Sequence, residues 1–410
     1  MLNWANRFSV CCFLDNNGYQ QSYHSYECLL AVDPVTVFTA EDGPLLPPLA
    51  HFLQQQNDWL FGHFSYHSTL PDYAVDAAHL LNESGFPAAF LFQPETVIEI
   101  KNNLVRISCL HSNPEAVWKA IQQTSITTEA ATNGNVQIQS RFSKAEYLHT
   151  IEQLLAHIKR GDCYEINFCQ EFFAPQTAIA PVPLYQKLTQ LSPTPYAAFY
   201  KVNQQYALCA SPERYLRKQG NTLISQPIKG TAKRVTHHPQ QDEAAREALY
   251  NSAKERSENV MVVDLVRNDF SRICLPGSVI VEELFGIYSF PQVHQMISTI
   301  KGELPPGTGL AKALAATFPM GSMTGAPKER VIALTNRYER TQRGLYSGCI
   351  GYITPEGDFD WNVVIRSILY NADKQYLSYQ VGGGITFYSN ADKEYEECLL
   401  KAAAIKKALE

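Results

Sequence analysis

Apolar positions between residues 143 and 161 recur at three- and four-residue spacing, at Tyr147, Ile151, Leu154, Leu155 and Ile158. That is the period of one helix face. Ser143 and Glu146 stand where a capping box would open such a helix, and Gly161 where it would stop. Residues 242–268 contain neither Pro nor Gly and predict a second, longer helix. A third begins at Pro327, with Thr324 as a candidate cap, and runs to about residue 340. The last begins near Asp392 and reaches the C-terminus.

Between these helices the pattern turns to strand. Residues 346–354 and 359–370 flank Pro355-Glu356-Gly357-Asp358, a turn sequence, and predict a hairpin. Residues 206–210, 221–226 and 376–380 also predict strands, the last leading into Gly382-Gly383-Gly384. Residues 1 to about 120 predict short strands and turns, with aromatic-rich stretches such as 59–66. Residues 124–140 are rich in Thr, Ala, Asn and Gln and predict a loop or linker. The expected organisation is therefore an N-terminal region over 1–123, a linker over 124–140 and a larger region over 141–410. Helices and strands come in blocks instead of alternating, which favours an α+β class with large antiparallel sheets.

Composition narrows the function classes. With 45% hydrophobic and 18% charged residues over 410 positions, the chain has the make-up of a soluble globular protein with ample core. A formal net charge of −6 leaves no basic footprint for nucleic acid. No stretch approaches the roughly 18 apolar residues of a membrane span, so no membrane partner is expected and the cytoplasm is the expected location. The early apolar run at residues 9–14 is too short for a signal-peptide core and is followed by Asp15. Ten scattered cysteines with no C-x-x-C pair read as free thiols in a reducing compartment.

Several residues could carry chemistry. Lys229, in Pro227-Ile228-Lys229-Gly230-Thr231, is either a solvated loop residue or a nucleophile beside a glycine. Glu258 falls on the second helix, and Glu394, Glu397 and Lys401 share one face of the last. Glu397 and Lys401 are either a surface ion pair or part of a site in which glutamates from two helices hold Mg²⁺. The glycine triplet is either a plain turn or a backbone cradle for an anion. Arg366, in an apolar run, is either at a sheet surface or a buried anion clamp. Glu213 is either an exposed turn residue or an acid at a cleft mouth.

In one order along the chain stand S-P-E-R (211–214), P-I-K-G-T (227–231), E-N-V-M-V-V-D-L-V-R-N-D (258–269), T-G-A-P-K (324–328), the G-Y-I to I-R pair (351–366), G-G-G-I (382–385) and E-x-x-E-x-x-x-K-A (394–402). Together they resemble the chorismate-utilising enzymes. The resemblance covers residues 140–410 strongly and 1–120 loosely. It implies two antiparallel sheets in a sandwich with helices outside. It implies Glu258 and Glu397 as Mg²⁺ ligands and Glu213 as the general acid that protonates the departing hydroxyl. Gly382, Gly383, Gly384 and Lys401 would grip the ring carboxylate, Arg366 and Tyr352 the enolpyruvyl carboxylate, and Thr231 and His294 would line the cleft.

The resemblance also sorts reactions within the family. Lys229 stands where the anthranilate- and isochorismate-forming branches usually carry alanine, and resembles the branch that aminates chorismate at ring position 4. There the lysine would attack ring position 2 as the hydroxyl leaves, and ammonia would then attack position 4. The amine must be neutral to attack, so a lowered pKa is expected for Lys229. Glu165 departs from the pattern, since many ammonia-using relatives carry glutamine there and water-using ones lysine; it argues against water attack. No G-x-C-x-G segment is present, so ammonia is expected from a separate glutamine amidotransferase subunit. The competing readings are an anthranilate-forming enzyme and a catalytically silent sensor on the same fold.

Overall fold

The computed structural model describes residues 1–19, 23, 25–41, 44–68, 79–126, 130–132 and 136–410. Within the expected linker, residues 127–129 and 133–135 lie outside the described residues, and Gln139–Ser140 is a short strand paired with Phe173 and Phe172.

The helix opened by Ser143 forms as its period predicts, over Lys144–Lys159. The Ser143 hydroxyl accepts the Glu146 N–H and the Glu146 carboxylate accepts the Ser143 N–H, a capping box. Tyr147, Ile151, Leu154 and Ile158 are buried against Ile166, Phe168, Val331 and Ile385. Gly161 takes φ +86°, and the helix stops before it.

Two other helices differ from expectation. The long one is two, Pro239–Asn251 and Ala253–Ser271, because Ser252 leaves the helical region and caps the second through the Glu255 N–H. The last is also two, Ala391–Lys401 and Ala403–Leu409. The third covers Lys328–Tyr338; its N-cap is Pro327, and Thr324 instead donates to the Met320 and Gly321 carbonyls.

The strands form one antiparallel ladder in two leaves. The first leaf runs through Glu165–Ala174, Tyr376–Thr386, Ser367–Asn371, Gln205–Ser211, Tyr196–Val202, Val10–Asp15, Cys28–Ala40 and Ala89–Lys101. From Ala89–Lys101 the second leaf continues through Leu60–Phe64, Cys349–Ile353, Phe359–Asn362, Arg214–Gln219 and Thr222–Gln226 to Val293–Glu303, which also pairs with Ile228–Lys233 and Ile280–Ser289. N-terminal strands thus sit inside the ladder.

Strand alternation builds the core between the leaves. Ala198 and Tyr200 face inward to join Phe61, Phe64, Tyr215 and Trp361, whereas Phe199 and Leu208 face outward under the helices Pro181–Leu191 and Ala403–Leu409. His63 Nδ1 lies 2.9 Å from the Tyr200 hydroxyl and joins the leaves across that core. The class is α+β, as the block pattern predicts.

The expected hairpin forms only in part. Cys349–Ile353 and Phe359–Asn362 pair around the turn, but the second run then leaves the ladder. It crosses between leaves at residues 363–366 and resumes as Ser367–Asn371 beside Gln205–Ser211. Arg366 sits in that crossing at φ +52°, not within a strand.

Candidate active site

Two crossings between the leaves meet side by side. The chain passes from Gln205–Ser211 in the first leaf to Arg214–Gln219 in the second, and Glu213 occupies the step. Residues 363–366 return in the opposite sense, and the Val363 N–H donates to the Glu213 carbonyl. Glu213 and Arg366 are thereby brought to one seam. Glu213 is only 4% exposed, so it is not a turn residue in water. Burial pushes its carboxyl up to about 7, against the Ser322 hydroxyl, the Lys229 cation, the Ile228 N–H and Arg366, which favour the charged form. Burial also pulls Arg366 below the usual arginine value, with Glu213 opposing.

Lys229 reaches the same seam from Ile228–Lys233. Its ammonium lies 2.5 Å from Glu165 Oε1, on the first residue of Glu165–Ala174. Burial alone would lower the Lys229 pKa, but the carboxylates of Glu165, Glu258 and Glu213 outweigh it and hold the group above the ordinary lysine value. The expected lowering is therefore not what this protein shows; three acids face the nitrogen. The structure also accounts for Gly384. It lies within the strand Tyr376–Thr386, not in a turn, and a Cβ there would come within 2.8 Å of both Lys229 Nζ and Glu165 Oε1.

A second group of charges adjoins the first. Gly382 and Gly383 share that strand, and Lys401 Nζ donates to the Gly382 carbonyl at 3.0 Å and meets Glu397 at 2.9 Å. Glu394, one turn before Glu397, is the more buried of the two. Lys401 lowers the Glu397 pKa, whereas burial raises that of Glu394. Glu258, on Ala253–Ser271, is 8% exposed, and burial pushes its carboxyl up to about 7. Its Oε1 is buried without a hydrogen-bond partner among the described residues. The Lys254 ammonium stands between the helices, 3.7 Å from Glu258 and 3.8 Å from Glu394.

These residues fit a divalent cation by chemistry. A buried carboxylate oxygen with no hydrogen-bond partner among the described residues, beside further carboxylates, suits Mg²⁺, which commonly takes one or two protein carboxylates plus water and substrate oxygens. Among the described residues no cluster of three His, Cys, Asp or Glu side chains is closed enough to hold a metal alone.

Tyr352, expected at the site, lies elsewhere. Tyr352 packs against Tyr26, Trp59 and Phe61 and lines a separate cavity with Asp15, Tyr196 and Asp360. Alternation along Cys349–Ile353 turns it, with Ile350, toward that cavity. His294 is tied to Ser289 at 2.8 Å and Asp242 at 3.2 Å. Thr231 is exposed opposite Gln295. Conversely, the sequence reading passed over Lys254 and Ser322. Lys254 had a legible signal, since it lies four residues before Glu258 on one helix face; Ser322 comes from a distant segment and had none.

Comparison with known proteins identifies the family. Residues 10–407 match the family described as chorismate binding enzyme. The aminodeoxychorismate synthase component 1 of Salmonella typhimurium is 37% identical over 272 residues, 66% of this chain and 59% of that protein. That of Escherichia coli is 35% identical over 298 residues, 73% of this chain and 64% of that one. The chloroplastic aminodeoxychorismate synthase of Arabidopsis thaliana is 39% identical over 265 residues, 64% of this chain and 28% of that protein. The match thus spans between 28% and 64% of the length of these relatives. Among solved structures, anthranilate synthase component I from Streptococcus pneumoniae superposes with a TM-score of 0.79 at 24% identity, covering 95% of this chain and 94% of that one. The menaquinone-specific isochorismate synthase of Escherichia coli gives 0.79 at 17% identity, covering all of this chain and 91% of that one. These two share the fold.

Proposed function

We propose that this chain, which belongs to the chorismate binding enzyme family, aminates chorismate at ring position 4 to give 4-amino-4-deoxychorismate. The observation that carries this is Lys229, a largely buried amine at the seam with Glu213 beside it. An anthranilate-forming reaction would need ammonia at ring position 2. A lysine able to bond there blocks that attack, and the similarity to proteins named aminodeoxychorismate synthase supports the amination as well.

The residues divide the work as follows. Arg366, at the crossing, and Lys401, beside Gly382 and Gly383, supply cations for a dicarboxylate substrate. Glu213, protonated near neutrality, gives a proton to the departing hydroxyl. Lys229 holds ring position 2 as a covalent nucleophile until ammonia takes position 4. Glu258 and Glu397, with Glu394 nearby, would hold Mg²⁺. When bound, the ion supplies positive charge for a substrate carboxylate. Ammonia is assigned to a glutamine amidotransferase subunit.

Intact-protein mass after mixing with chorismate tests the covalent role. The chain should gain the mass of chorismate less water, and Lys229→Ala should abolish the gain. An adduct that survives the substitution would place the nucleophile elsewhere.

A further inference from the structure

We propose that Glu165 is a catalytic base that takes a proton from Lys229 and so releases the lysine as a nucleophile; this rests on the function proposed above. Glu165 and Lys229 come from opposite leaves and meet at 2.5 Å, so the transfer needs no rearrangement. Gly384 leaves the pair no lateral slack beyond the space a Cβ would fill. Glu165 is 1% exposed, and its Oε2 is buried without a hydrogen-bond partner among the described residues. A carboxylate serving only as a counter-ion gains from full hydrogen bonding of both oxygens; one oxygen here keeps its acceptor capacity.

The other acids near Lys229 are poorly placed for the task. Glu213 accepts hydrogen bonds from Ser322 and the Ile228 N–H and is suited to donate a proton instead. Glu258 acts on Lys229 at longer range, its ion-pair partner being Lys254. The resting nitrogen is an ammonium, so a base is required.

The steps balance. The Lys229 ammonium gives one proton to Glu165, leaving a neutral amine and a carboxylic acid. The amine lone pair forms a bond to ring position 2, the two conjugated double bonds shift, and the bond from position 4 to oxygen breaks. That oxygen takes the Glu213 proton and leaves as water. Ammonia then bonds to position 4, the double bonds shift back, and the bond to Lys229 breaks with its electrons on nitrogen. Glu165 returns its proton to Lys229, and the new ammonium gives one to Glu213. The sum is chorismate plus ammonia to aminodeoxychorismate plus water.

Glu165→Gln tests this, because the base and counter-ion roles predict opposite signs. Enzyme in excess is mixed with chorismate without ammonia, quenched at intervals and weighed intact. Loss of a base slows adduct formation by about 10²-fold or more. Loss of a mere counter-ion leaves more neutral amine, so adduct forms as fast as in wild type or faster; that result overturns the inference. Should Glu165→Gln fail to fold, Glu165→Asp decides: slower adduct supports the base, and an unchanged or faster rate contradicts it. A wild-type chain that makes aminodeoxychorismate from chorismate and ammonium with no adduct on Lys229 also overturns the inference. A wild-type chain that makes no such product overturns the proposed function itself.

Discussion

At the scale of single residues, the charge on Lys229 shows what spacing along a chain leaves out. Its motif suggests a nucleophile, and burial alone would favour the neutral amine. The fold adds Glu165, distant by 64 positions, and the balance of charge reverses. Glu213 is the complementary case, where burial prevails and the carboxyl titrates near 7. Since its protonated form is the working one, the rate should fall as pH rises through about 7, and Glu213→Gln should lose about 10²–10⁴-fold in kcat. A pH–rate profile and steady-state assay with chorismate and ammonium check both. Glu258→Gln should weaken Mg²⁺ binding about 10-fold or more, read by calorimetric titration without substrate. Unchanged binding would remove Glu258 from the ligand set.

At the scale of elements, regular period was legible and interruption was not. The helix Lys144–Lys159 could be read from its cap and its apolar face. The break at Ser252 was missed although Ser252-Ala253-Lys254-Glu255 has the spacing of a capping box; the lack of Pro and Gly around it argued for continuity. The run 359–370 is largely apolar because most of both halves is buried, yet each half belongs to a different leaf. Apolar content reports burial, not which sheet a strand joins. Two of the motifs quoted above prove to be joined by structure. The Lys328 ammonium meets Asp269 at 2.7 Å and the Thr317 carbonyl at 3.1 Å, with both side chains buried. The pair fastens the helix that bears Glu258 to the start of Lys328–Tyr338. Lys328→Met strands the Asp269 carboxylate and should cost about 3–5 kcal/mol, measured by urea unfolding.

At the scale of the molecule, the α+β class followed from the block order of elements, and the motifs in sequence order pointed to one site. The seam was not legible, because it depends on where two strands change leaves. His63 lies at the heart of that two-leaf arrangement. Burial pushes its pKa down to about 4, with the Pro87 carbonyl opposing. In the unfolded chain histidine titrates near 6.5, so between these values the unfolded state binds more protons. Stability from this residue is therefore complete above about pH 6.5 and is lost as pH falls toward 4, by up to about 3 kcal/mol. His63→Gln should flatten that part of the pH dependence of the urea midpoint.

The position of the new nitrogen tests the central claim most directly. The chain, incubated with chorismate, Mg²⁺ and ¹⁵N-ammonium, should yield a product with ¹⁵N on ring carbon 4 and the enolpyruvyl group retained, as read by NMR and mass. Nitrogen on carbon 2 with release of pyruvate would contradict the account, and with it the role given to Lys229.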